Sequence, residues 1–94
     1  MDERLIKQWQ VTESLLEAAA AEIASTEPHC EYKGFLDHNE LELALNVLED
    51  AGHELKVSRE YWWNLMKAAE VMGLTERYDA LREEFRKTIN AEKT

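Results

Sequence analysis

Ser58-Arg59-Glu60-Tyr61-Trp62-Trp63-Asn64-Leu65-Met66-Lys67-Ala68-Ala69-Glu70-Val71-Met72-Gly73 decides the fold class. Tyr61, Trp62, Leu65, Met66, Ala68, Ala69 and Met72 recur at helical spacing and form one wide apolar face. Ser58 stands where an N-cap belongs, and Val57 and Trp62 are placed for a hydrophobic staple. Gly73 followed by Leu74 reads as a helix stop. Trp63 points about 160° away from Leu65 at 100° per residue, off the apolar face.

Toward the C-terminus, Thr75 reads as the cap of a further helix whose core face is Tyr78, Leu81, Phe85 and Ile89. Glu83 and Lys87 make a favourable i,i+4 pair there, and residues 90–94 are expected to fray. Toward the N-terminus, Asp37 with Glu40 three residues on resembles a capping box, and Leu36 and Leu41 are set for a staple. Leu41, Ala44, Leu45 and Leu48 make the core stripe of that helix, which Gly52 would close. Leu43 and Val47 lie on another face, which predicts a central helix covered on two sides. The first helix is expected from about Asp2 to Ala24. Its seam of Leu5, Trp9, Thr12, Leu16, Ala19 and Ile23 steps by 4, 3, 4, 3 and 4. Ser25-Thr26-Glu27-Pro28 ends it, because proline cannot continue a helix. The expected architecture is therefore all-α: a compact bundle of four main helices in one domain over residues 1–94, with room for an additional short helix around residues 30–36.

The composition suits a soluble globular domain: 94 residues, 45% hydrophobic, 33% charged. The net charge of −9 disfavours nucleic acid and anionic membranes as partners and favours a basic protein. One cysteine, Cys30, cannot form an internal disulfide. No apolar run is long enough for a membrane span, and the first residues lack a signal-peptide core. A cytoplasmic location is the expectation. The charge is one-sided: from Gln8 to Leu55 eleven acids face one base, Lys33, whereas from Lys56 to Thr94 eight bases meet seven acids. One-sided charge is more than solubility requires, and it steers a partner of opposite sign.

Chemistry-bearing patterns are sparse. His29, Cys30, His38 and His53 lack metal-ligand spacing. Asp37-x-x-Glu40 and Glu76-x-x-Asp79 mimic the paired carboxylates with which small helical pyrophosphohydrolases of the MazG type hold magnesium. Both pairs sit at expected helix starts, where capping and the helix dipole already favour acids. No glycine-rich phosphate loop and no nucleophile–base pattern is present, so neither catalytic residues nor a cofactor nor a metal site is expected.

The run Phe35-Leu36-Asp37-His38-Asn39-Glu40-Leu41-Glu42-Leu43-Ala44-Leu45 resembles a segment of small MafI-type immunity proteins. The likeness continues through Val57–Trp62 and Ala68–Leu74, over about residues 32–74. It implies a helical bacterial cytoplasmic protein that protects its producer from a cognate polymorphic toxin, often a nuclease. The reading that follows is a non-enzymatic immunity protein that blocks a basic toxin by stoichiometric binding, as a monomer or homodimer. Glu42, Glu49 and Asp50 would be its steering charges and Trp63 an anchor. Two alternatives stand beside it. One is an adaptor domain that self-associates through the heptad seam of the first helix. The other is the magnesium-dependent pyrophosphohydrolase.

Overall fold

A Ser58-to-Gly73 helix with an apolar face needs neighbours on that face, and the structure supplies them. The computed structural model describes residues 3–38 and 40–93. Five α-helices follow one another: α1 (Glu3–Ala20), α2 (Glu27–Asp37), α3 (Leu41–Glu54), α4 (Arg59–Met72) and α5 (Thr75–Lys93). A 3₁₀ turn, Ala21–Ile23, continues α1. No strand occurs among the described residues. The Cα radius of gyration is 13.0 Å, near the ~12.4 Å expected for a compact chain of this length.

α4 is the hub, packed along both α1 and α5, while α3 lies chiefly on α2 and also touches α1 and α4. The core joins Leu16, Ala19 and Ile23 from the α1 segment to Leu45 and Leu48 of α3 and to Tyr61, Leu65 and Ala69 of α4. Leu81 is the fully buried residue of α5 among those described; Tyr78, Phe85 and Ile89 are only half-buried, so α5 is a flank rather than a wall. The central helix is thus α4. α3 was expected to be covered on two sides, but Leu43 is 42% exposed and Val47 half-buried.

The ends of α4 follow local chemistry. Ser58 caps it, its Oγ accepting the Tyr61 N–H at 3.3 Å. Gly73 closes it at φ 74°, with the Gly73 N–H on the Glu70 carbonyl and the Leu74 N–H on the Ala69 carbonyl. That doubly bonded stop is a Schellman motif. The ends of α3 do not follow the sequence signals. Asp37 is the last residue of α2, and Glu40 precedes α3 with no side-chain cap bond, so the Asp37–Glu40 capping box does not form. Asn39 lies outside the described residues. Gly52 sits inside α3, buried, two residues before the helix ends. A Cβ there would lie 2.6 Å from Trp62 Cη2 and 3.0 Å from Tyr61 Cε1. Gly52 is therefore glycine for close packing rather than for capping.

Three further boundaries differ. Pro28 opens α2, in whose first turn its missing N–H is no loss, and the expected short helix is 11 residues long. Thr75 is the first residue of α5 rather than its cap. α5 runs to Lys93, through most of the segment expected to fray, and Thr94 lies outside the described residues. Its ion pairs also differ: Lys87 meets Glu84 at 3.4 Å and Arg86 meets Glu83 at 3.5 Å, both i,i+3, in place of Glu83 with Lys87.

Two polar ties fix α4 to its surroundings. The Glu22 carboxylate, in the 3₁₀ turn, accepts from the Ser58 N–H at 2.7 Å and from the Ser58 hydroxyl at 2.5 Å. The Tyr61 hydroxyl donates to the Leu48 carbonyl of α3 at 2.5 Å, in the interior. Burial, with Glu22 nearby, raises the Tyr61 phenol above its ordinary pKa.

Candidate functional site

The outer face of α3 is where exposed acids gather. At 100° per residue, Glu42, Leu43, Asp50, His53 and Glu54 fall within about 120° of one another, opposite Ala44, Leu45 and Leu48. All five are exposed. Leu43 stands between Asp50 and Glu54 on the wheel, an apolar side chain inside an acidic face. α2, packed beside α3, adds exposed Glu27, Glu31 and Asp37. None of these acids has an ion-pair partner within 4.0 Å among the described residues. The other half is paired: Arg59–Glu60, Lys67–Glu70, Arg86–Glu83 and Lys87–Glu84 lie along α4 and α5. Backbone hydrogen bonding, then Arg59, hold the Glu60 carboxyl below its usual range, and Glu70 holds the Lys67 ammonium above its own.

The structure separates the four expected binding residues. Glu42 and Asp50 are exposed on the α3 face. Glu49 is not a free steering charge: its Oε2 lies 3.1 Å from Arg77 Nη1 of α5, and its side chain is only 21% exposed. Trp63 is 42% exposed but belongs to another surface. It lines a groove of about 360 Å³ between α4 and α5 with Asn64, Phe85 and Ile89, and Lys67 Nζ lies 6.0 Å from its ring.

Trp9 is the aromatic that shares a surface with the acids. The seam reading places it in the core, yet it is 38% exposed. Thr12, Leu16, Ala19 and Ile23 carry the buried part of that seam, with the Thr12 hydroxyl donating to the Gln8 carbonyl at 2.8 Å. The side chain of Leu5 lies outside the described set. Trp9 and Glu42 line one notch of about 300 Å³ with Leu41, Val71, Met72 and Leu74, where α1, α3 and the end of α4 meet. A seam periodicity carries no information on where the neighbouring helix ends, so the sequence held no direct sign of this exposure.

A second polar spot lies between α1 and α2. Tyr32 is 1% exposed, and its hydroxyl has no hydrogen-bond partner. Burial, then Glu17 and Glu13, push its phenol above the ordinary value. Its ring, tilted against His29 at 5.9 Å, lines a hollow with Glu17, Ala20 and Lys33. Asp37, Glu40, Glu76 and Asp79 are all exposed. Among the described residues no group of three or more His, Cys, Asp or Glu side chains is placed to hold a metal ion. No helix of the described residues is long and apolar enough to cross a membrane. Comparison of the chain with protein-family models, curated proteins and solved structures finds no match.

Proposed function

We propose that this protein is a non-enzymatic binding domain that captures a basic protein on the Trp9–Glu42 notch and the adjoining outer face of α3. The observation that carries the reading is the shared notch: an exposed indole beside an acid, on a surface whose acids have no ion-pair partner among the described residues. Unpaired surface acids set on-rate and partner choice, while a partly buried aromatic supplies most of the affinity. Leu43 extends the apolar centre, and Asp50 and Glu54 form its rim.

The partner that suits this surface best is a basic toxin, often a nuclease, that the domain neutralises by one-to-one binding. A nuclease must be basic to hold nucleic acid, so an acidic competitor fits its working surface. The resemblance of residues 32–74 to MafI-type immunity proteins points the same way. The test is capture from the native cell with the tagged chain, beside Glu42→Lys/Asp50→Lys and Trp9→Ala variants. The expected result is one basic protein, retained at near-equal amount by the native chain and released by both variants. That protein should arrest growth when expressed alone and not when co-expressed with the native chain. A protein retained equally by all three baits, or one harmless on its own, refutes the reading. Glu49 stays unsubstituted in this test, because its loss would also untie Arg77.

A further inference from the structure

The hollow between the end of α1 and the start of α2 gathers polar groups that have no partner among the described residues. Its volume is about 420 Å³, within the ~300–1,000 Å³ of small-molecule sites. Ala20, Ala21 and Ala24 line one part of it with methyl groups, and the tilted rings of Tyr32 and His29, 5.9 Å apart, give it an aromatic corner. Glu17 and Lys33 line it as well. These two carry opposite charges, yet neither makes an ion pair within 4.0 Å with the other or with any other described residue. Lys33 is the one lysine or arginine between Gln8 and Leu55, and it stands beside this hollow. The third unspent group is the Tyr32 hydroxyl. The residue is 1% exposed and the hydroxyl has no hydrogen-bond partner. It lies toward the Glu17 side of the hollow, since the charges that act on it are those of Glu17 and then Glu13. Buried hydroxyls are almost always bonded, so an orphan of this kind marks a place where a bound group completes the bonding.

Each of these groups asks for a different partner. An unpaired carboxylate calls for a cation, an unpaired ammonium for an anion, and a neutral phenol both donates and accepts. A purely cationic ligand would leave Lys33 opposed, and a purely anionic one would leave Glu17 opposed. We propose that the hollow binds a small zwitterion, an α-amino acid with an apolar side chain. Its ammonium donates to the Glu17 carboxylate and to the Tyr32 hydroxyl oxygen. Its carboxylate accepts from the Lys33 ammonium, and its side chain lies on the alanine methyls. The hydroxyl has almost no free surface, so the ligand ammonium reaches it as the Glu17 side chain swings outward. Glu17 is exposed, and exposed side chains change rotamer within nanoseconds. The hollow shares no lining residue with the Trp9–Glu42 notch, so its fate does not decide that of the partner-binding proposal.

The experiment is titration of the isotope-labelled full chain with leucine, read by amide chemical shifts. The expected result is saturable shifts centred on residues 17–24 and 29–33. The Kd should be on the order of 1 mM, because a ligand of so few atoms binds weakly. Leucinamide lacks the carboxylate and isocaproate lacks the ammonium, so each should bind about tenfold more weakly for the loss of a charge-assisted bond. Tyr32→Phe should keep the fold and weaken leucine binding by about fivefold. Ala21→Leu, at an exposed lining position, should fill the hollow and abolish binding. Absence of a saturable shift at about 10 mM leucine overturns the proposal, as does binding that Tyr32→Phe and Ala21→Leu both leave unchanged. Leucinamide or isocaproate bound as tightly as leucine overturns the zwitterion.

Discussion

α3 and α4 are both 14 residues long and touch along the centre of the molecule, yet they are ended by opposite means. α4 carries its own boundaries in Ser58 and Gly73. α3 has no side-chain cap, and its glycine serves a neighbour's indole. The outer faces differ in the same sense. Acids on α4 have cations one or three residues away, while those on the outside of α3 have none among the described residues. A helix closed by local chemistry serves as scaffold, and one held by tertiary contacts leaves its outer face free for a partner. The comparison makes claims about single residues that can be broken.

The largest effect falls on the adjacent tryptophans. Trp62 is 4% exposed, stacked edge-on to Tyr61 at 5.8 Å and beside His53 at 5.2 Å. Trp62→Ala should cost about 3–5 kcal/mol, enough to unfold much of a domain this small. Trp63→Ala, one residue on, should cost under about 1 kcal/mol in urea unfolding because its ring is already half in water. Equal losses would mean that the Trp63 groove belongs to the core.

The two helical glycines come next, with opposite signs. Gly52→Ala drives a methyl into the Trp62 ring, and overpacking of that kind costs about 1–3 kcal/mol, more than the helix-propensity gain of ~1 kcal/mol returns. Gly34, exposed in the middle of α2, has nothing within 4 Å of where a Cβ would stand. Gly34→Ala should therefore stabilise by about 0.5–1 kcal/mol. A stabilising Gly52→Ala would show that Trp62 yields easily and that α3 is not held by that contact.

The buried tyrosines give a pH-dependent version of the same test. Tyr61 and Tyr32 both have phenols raised above 10.0, chiefly by burial. The unfolded chain ionises its tyrosines near that ordinary value while the native chain holds the protons, so stability is whole below it and falls as pH rises beyond. The slope approaches about 1.4 kcal/mol per pH unit for each tyrosine. Tyr32→Phe should remove its share with little loss at neutral pH, because its hydroxyl has no hydrogen-bond partner. Tyr61→Phe removes its share but also strips the Leu48 carbonyl of its donor, costing about 1–3 kcal/mol at any pH. An alkaline slope unchanged in both variants would contradict their burial.

These contrasts also explain what the sequence made legible. The all-α class, the helices and the whole of α4 follow from periodicity and local caps, which act within a few residues. Asp37 and Gly52 carry the same kinds of signal and mislead, because α2 runs on through Asp37 and the Trp62 ring claims the space beside Gly52. The same division holds for the candidate site. Glu42 and Asp50 are legible as outward acids from the wheel alone. Glu49 is not, because its partner Arg77 lies 28 residues away. Trp9 has a seam position by period and exposure by geometry, and only packing separates the two.

The smallest effect tests whether the ends of α3 and α4 differ by capping at all. Ser58→Ala removes the acceptor for the Tyr61 N–H and the hydroxyl held by Glu22, and should cost about 1–2 kcal/mol. Glu40 stands before α3 with φ −95° and ψ 71° and no cap bond of its own. Glu40→Ser offers a better capping side chain there and should gain at most about 1 kcal/mol, and only if the backbone at residue 40 relaxes toward the extended region that Ser58 occupies at ψ 168°. A gain would show that the start of α3 is left uncapped by its residue and not by its geometry, and that the acidic face can be stabilised without touching Glu42 or Asp50. No gain would show that contacts with α2 fix the start of α3 in a conformation that no cap can use, which is the stronger form of the contrast with α4.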